Sequence, residues 1–71
     1  MNTRTLRNID YHLQKARKKH PHFAKNDDEI VTIAAEEFGE WAKEINEKNL
    51  DAAEQEALDL IAVLIRFIEC D

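Results

Sequence analysis

Two pairs of acids, each with a spacing of three residues, stand in otherwise apolar parts of the sequence. The first pair is Glu37 and Glu40, and the second pair is Glu56 and Asp59. Residues three apart are neighbours on a helix, so each pair can direct its carboxylates at one point. A buried carboxylate costs several kcal/mol unless it is paired or binds a cation. Because ligation by carboxylate oxygens alone favours Mg²⁺, Mn²⁺ or Ca²⁺ over Zn²⁺, the four acids predict a site for a divalent cation, and Mg²⁺ is the expected one because it would keep waters and leave positions for phosphates.

Helical periodicity predicts the elements that must position these acids. The apolar residues recur at intervals of three and four and indicate three helices at about 3–19, 27–48 and 51–69, in one all-α domain spanning 1–71. Asn26 is the predicted N-cap of the second helix, and Asp27, Asp28 and Glu29 would form its first turn. A short break near Asn49 makes the second and third helices an antiparallel hairpin.

The third predicted helix is apolar around its whole circumference. Ten of the twelve residues in 57–68 are apolar, and such a helix is normally buried on all sides. Two other short helices cannot cover it, and a chain of 71 residues can build only a small core by itself. The pattern therefore predicts a four-helix-bundle core formed by oligomerisation, as a homodimer or a homotetramer.

Charge and composition exclude some classes of partner. The net charge of −5 argues against a nucleic-acid partner. The apolar run is too short to cross a membrane and is interrupted by Asp59 and Arg66, so no membrane partner is expected. Cys70 is the single cysteine, which is typical of the reducing cytoplasm.

The acidic motifs and their context resemble a known family. The stretch EEFGEWAKEIN followed by EALDLIAVLIRFIE is similar to the MazG-like all-α nucleoside triphosphate pyrophosphohydrolases, in a short form. Their signature is Glu-x-x-Glu followed, after a gap, by Glu-x-x-Asp. Here the gap is the fifteen residues 41–55, and the similarity covers about 30–69.

The resemblance implies a reaction and a set of site residues. Members of this family hydrolyse the α–β phosphate bond of a nucleoside triphosphate with Mg²⁺, giving the monophosphate and pyrophosphate. The cellular purpose that the resemblance implies is cleaning of the nucleotide pool. By analogy, the metal ligands would be Glu37, Glu40, Glu56 and Asp59. Their helical positions, rather than the resemblance, suggest that Glu36 or Glu44 could orient the attacking water or a metal-bound water, and Glu36 is therefore a fifth catalytic candidate.

The groups that would hold the substrate are less clear in the sequence. In the resembling family, a segment after the second acidic helix usually contributes them, whereas the present sequence ends at Asp71. The candidates within it are Lys15, Lys18, Lys19, Trp41 and Arg66. The basic residues could equally be a solvated helix end, Trp41 could be core, and Arg66 could pair with Asp59 or Glu69.

Two functions other than catalysis fit the sequence. One is a non-catalytic helical assembly or binding module that retains the MazG-like fold, and the other is an acidic protein that docks on a basic partner. A ferritin-like di-iron site is disfavoured because His12, His20 and His22 form no i, i+4 pair and no Glu-x-x-His is present. His20 and His22 flank Pro21 and are expected to be solvated.

Overall fold

The computed structural model describes residues 1–70, and its regular elements are three α-helices. They are α1 (Thr3–Lys19), α2 (Asp27–Asn46) and α3 (Leu50–Glu69), and no strand is found within residues 1–70. The predicted all-α class is therefore confirmed. The break near Asn49 is also confirmed, although α2 ends at Asn46 rather than near Lys48, because residue 48 adopts a left-handed φ of 59° that no helix can continue through.

Each helix begins at an asparagine whose side chain accepts a backbone N–H three residues later. These bonds run from Thr5 to Asn2 (2.8 Å), from Glu29 to Asn26 (2.9 Å) and from Ala52 to Asn49 (3.4 Å). Asparagine is among the best N-caps because its oxygen satisfies a donor that the helix leaves unpaired. The third helix is thus capped by Asn49.

Helix α3 occupies the middle of the molecule and packs against both α1 and α2. Its neighbours contribute little to the core, since the buried apolar side chains are Leu13 of α1 and, on α3, Ala53, Leu58, Ala62 and Val63. The densest packing is between α2 and α3, which are joined by residues 47–49 and form a helical hairpin. Small side chains on α3 let its neighbours approach closely, and this brings the acids of α2 and α3 together.

One side of the hairpin is apolar and exposed. We call it the apolar back face. It consists of three residues of α2 spaced seven apart and two residues of α3 spaced four apart: Val31, Phe38, Ile45, Leu64 and Ile68. These side chains are 41–74% exposed. The single chain therefore does not bury α3 on all sides, in contrast to the pattern of its sequence. None of the helices within residues 1–70 is both long and apolar enough to cross a membrane.

Candidate metal and substrate site

Three of the four predicted acids meet where α2 crosses α3. Oxygens of Glu37, Glu56 and Asp59 all lie within 4.8 Å of one another, and all three residues are half-buried. Glu40 is exposed and falls outside this group, but its carboxyl lies near that of Glu56 and helps to raise the pKa of Glu56. The i, i+3 spacing on α3 places Glu56 and Asp59 side by side, and the hairpin supplies Glu37 from the other helix.

The cluster holds its protons more tightly than separate carboxyls would. Burial raises the pKa of Glu56 to about 7, and the neighbouring carboxyls of Glu40, Asp59 and Glu37 raise it in the same direction. Burial also raises the pKa of Glu37, again with help from neighbouring acids, while the positive charge of Lys19 partly opposes this shift. Both shifts have the signature of negative charges crowded together in a partly desolvated place.

The unsatisfied oxygens of the cluster fit a divalent cation. Glu37 Oε2 and Glu56 Oε2 are enclosed and have no hydrogen-bond partner, although most buried polar atoms in proteins have one. A cation would satisfy both oxygens and neutralise the repulsion that raises the two pKa values. Since all the available donors are carboxylate oxygens, the chemistry fits Mg²⁺ or Mn²⁺ better than a soft metal.

A cavity of about 510 Å³ opens beside the acids, between α1 and α2 with α3 as its floor. Its size is in the range of small-molecule sites, which measure about 300–1,000 Å³. Its wall carries charges of both signs: Glu29, Glu36, Glu37 and Asp59 on one part, and Lys15, Lys19 and Arg66 on another. Acids that could hold a cation and lysines that could hold an anion thus face the same space.

The structure separates the predicted substrate-binding residues into two groups. Lys15 and Lys19 line the cavity, as do the exposed His20 and His22, whereas Lys18 is exposed and lies outside the lining. This separation follows from helical geometry, because positions four apart share a face and Lys18 points elsewhere. Trp41 is also outside the lining; its ring packs against Phe38, with centroids 5.6 Å apart.

Arg66 is only 2% exposed and ties α3 to the end of α1. Its two terminal nitrogens donate to the carbonyl oxygens of Ala16 (3.2 Å) and His20 (2.7 Å), and its guanidinium lies 4.8 Å from the centroid of the Phe23 ring. A guanidinium at a helix C-terminus can hydrogen-bond the last carbonyls of the helix, and here the Ala16 carbonyl also accepts the backbone N–H of His20. Glu69, considered above as a partner of Arg66, accepts a hydrogen bond from Arg17 at 2.7 Å.

His12 is a site residue that sequence reasoning did not identify. It is 6% exposed, its Nδ1 lies 2.7 Å from Asp59 Oδ1, and its Nε2 lies 3.0 Å from Gln55 Oε1. The signal was present in the sequence, because His12 is three residues from Ile9 and four from Ala16 and so lies on the apolar side of α1. What the sequence does not give is the partner, since Asp59 is 47 positions away.

Comparison with known proteins found no matching family model, no similar curated protein and no similar solved structure. The resemblance to the MazG-like family therefore depends on the two acidic motifs and their apolar context. The geometry adds an independent fact, which is that residues from both motifs meet at one place.

Proposed function

We propose that this chain is a Mg²⁺-dependent nucleoside triphosphate pyrophosphohydrolase of the MazG-like type. It would cleave the α–β phosphate bond to release a nucleoside monophosphate and pyrophosphate. The observation that carries the proposal is the convergence of Glu37, Glu56 and Asp59 beside a cavity whose lining includes Glu37, Asp59 and two lysines. Cleaning of the nucleotide pool is the cellular purpose that the family resemblance implies.

The residues of the cavity have distinct roles in this proposal. Glu37, Glu56 and Asp59 would hold the cation, with Glu40 beside Glu56 as a further carboxylate. When bound, Mg²⁺ neutralises the phosphate chain and makes water a better nucleophile. Glu36 is exposed, lines the cavity and directly precedes Glu37. It can accept a hydrogen bond from the attacking water and take up its proton.

The lysines of α1 supply the positive charge that a triphosphate needs. Lys15 and Lys19 are four residues apart and both reach the cavity. Lys19 is near enough to Glu37 for its charge to affect that carboxyl. A phosphate chain bound to a cation at the acids would therefore extend toward these ammonium groups. Arg66 holds the wall in place by binding the carbonyls at the end of α1.

Reversing the charge of Lys19 is expected to weaken substrate binding more than turnover. Hydrogen bonds to charged groups contribute about 1.5–3 kcal/mol, so Lys19→Glu should raise KM about 10-fold or more. Lys18→Glu is the matched control, because it makes the same charge change one residue away and outside the cavity. Steady-state kinetics at one ionic strength would compare them. Equal increases in KM would mean that only the overall charge of α1 matters.

We further propose that the chain works as a homodimer through the apolar back face. Its exposed surface is 5449 Å², whereas a compact protein of 8.3 kDa exposes about 4,600 Å². The excess is close to the roughly 800 Å² that each partner buries in a standard interface. Phe38 and Leu64 each lie two residues from a cavity residue, Glu36 and Arg66 respectively, so they point away from the cavity. Pairing two hairpins there would form a four-helix bundle and leave both cavities open.

The activity is tested by measuring pyrophosphate release from ribo-, deoxy- and modified nucleoside triphosphates. We expect release that requires Mg²⁺, stops with a chelator and is lost in Glu37→Gln. The substrate that reacts fastest would define the base and sugar preference. Absence of release above the Glu37→Gln background, from a folded protein, would overturn the enzyme proposal and favour the non-catalytic module.

A further inference from the structure

His12 connects α1 to the acid cluster through a pair of contacts on one ring. Its Nδ1 donates to Asp59 Oδ1 at 2.7 Å, and its Nε2 contacts the side-chain amide of Gln55 at 3.0 Å. Gln55 and Asp59 are four residues apart on the same face of α3. The imidazole thus bridges two residues of α3 and is held at both nitrogens.

We propose that His12 is a positioning residue that holds the Asp59 carboxylate in the orientation needed for cation binding. This inference rests on the proposed function, because it takes Asp59 as a ligand. A carboxylate has two oxygens, so one can accept the bond from His12 while the other faces a cation. Groups that hydrogen-bond to metal ligands in this way fix their orientation and tune their affinity.

The exposure of Asp59 argues against a purely structural role for this bond. Its side chain is 43% exposed, whereas that of His12 is 6% exposed. Water could satisfy the carboxylate, which therefore does not need the histidine to remain folded in place. What the bond removes is rotational freedom of a side chain that lines the cavity. A fixed carboxylate binds a cation more tightly because less conformational entropy is lost on binding.

The same bond sets the register of the lysines against the acids. His12, Lys15 and Lys19 follow the i, i+3, i+7 spacing of one helical face, and all three line the cavity. Fixing His12 on Asp59 therefore fixes where the backbone of both lysines lies relative to the cation-binding acids. The arrangement makes α1 a part of the site and not only a cover for α3.

The test compares three substitutions of His12 in the full chain, with Mn²⁺ alone as the probe. His12→Asn places an amide N–H where Nδ1 was and keeps a donor for Asp59. His12→Gln reaches toward the Nε2 position instead, and His12→Leu has no donor. We expect Mn²⁺ affinity, measured by titration calorimetry, to fall about 10–100-fold in the Leu and Gln variants and to be largely retained in the Asn variant.

Leu13→Val is the control for the packing of α1. Leu13 is buried beside His12 but does not contact Asp59 through a polar group, so this variant should loosen α1 and leave Mn²⁺ affinity unchanged. Circular dichroism without metal would show that each variant is folded. Should His12→Leu not fold, the comparison of Gln with Asn still decides the question. Equal Mn²⁺ affinities for the Asn and Gln variants, or a loss in Leu13→Val as large as in His12→Gln, would overturn the inference.

The inference and the proposed activity can fail separately. Mn²⁺ affinity that depends on His12, in a protein that releases no pyrophosphate, supports the positioning role and overturns the activity. Pyrophosphate release, together with Mn²⁺ affinity that is independent of His12, supports the activity and overturns the positioning role. A wild-type protein that binds no Mn²⁺ overturns both.

Discussion

Replacing Glu56 by glutamine is expected to abolish hydrolysis and, at the same time, to raise the melting temperature of the metal-free protein. Turnover should fall by more than about 100-fold, because even groups that only support metal ligands cost about 10–100-fold. The gain in stability has a different cause. Burial and the neighbouring carboxyls raise the pKa of Glu56 from 4.5 to about 7, so its ionised form opposes folding when no cation is bound.

The pH dependence of this gain follows from the sign of the shift. A group with a raised pKa in the folded state contributes stability below its unfolded pKa and loses it as pH rises through the folded value. The wild-type protein without metal should therefore lose stability between about pH 4.5 and about pH 7, and the Glu56→Gln variant avoids this loss because its amide does not ionise. The difference in melting temperature should be small at about pH 5 and largest at about pH 8. For a domain of this size, 1 kcal/mol corresponds to about 4–8 °C.

Asp59→Asn is the matched comparison for the same measurement. It removes the same charge from the cluster, but it also converts the acceptor of the His12 hydrogen bond from a carboxylate to a neutral amide, and charge-assisted bonds are about twice as strong. We expect the same loss of turnover without the gain in metal-free melting temperature. Equal gains in the two variants would mean that the net charge of the chain, and not the burial of Glu56, determines the effect.

The sequence was sufficient to predict the features that depend on residues close together in the chain, which are the helices and the pairs of acids. The three helices follow from apolar periodicity and from asparagine caps such as Asn26. The cluster follows from acids at Glu56 and Asp59 that interrupt an apolar helix, because an i, i+3 pair converges whatever the tertiary structure is. The presence of Glu37 in the cluster needed one further assumption, that α2 and α3 form a hairpin, and the short connection at residues 47–49 made this assumption safe.

The sequence was not sufficient where function depends on the docking angle of α1. The basic residues within 15–19 cannot be distinguished from one another in the sequence. The rotation of α1 about its axis, relative to α3, determines that Lys15 and Lys19 face the cavity and that Lys18 does not. The partner of His12 depends on the same rotation. Arg66 could have paired with an acid, yet it binds the carbonyls of Ala16 and His20 because α1 ends directly above it. Contacts between residues about fifty positions apart cannot be predicted from local sequence patterns, because they depend on how the helices pack.

Placing a charge on the apolar back face is expected to dissociate the proposed dimer. Phe38 is 54% exposed and Leu64 is 45% exposed in the single chain, and each would be buried at the interface. Burial of such a side chain contributes about 1.5–3 kcal/mol, and a two-fold axis makes each substitution act twice. Phe38→Glu or Leu64→Glu should therefore weaken dimerisation by at least about 100-fold, or roughly 3 kcal/mol. Analytical ultracentrifugation over a range of concentrations would measure this.

The control for this prediction is Leu6→Glu on α1. Leu6 is an equally exposed apolar residue, at 53%, but it lies outside the back face. The Leu6→Glu variant should keep the association state of the wild type, which would separate loss of a specific interface from a general increase in negative charge.

The melting temperature should follow the association state, because a partner that binds only the folded chain stabilises it by mass action. A wild-type protein that is monomeric at every concentration would show that α3 tolerates its exposed apolar face, and the bundle would have to be abandoned. The acid cluster would be unaffected by that result, because Glu37, Glu56 and Asp59 all come from one chain.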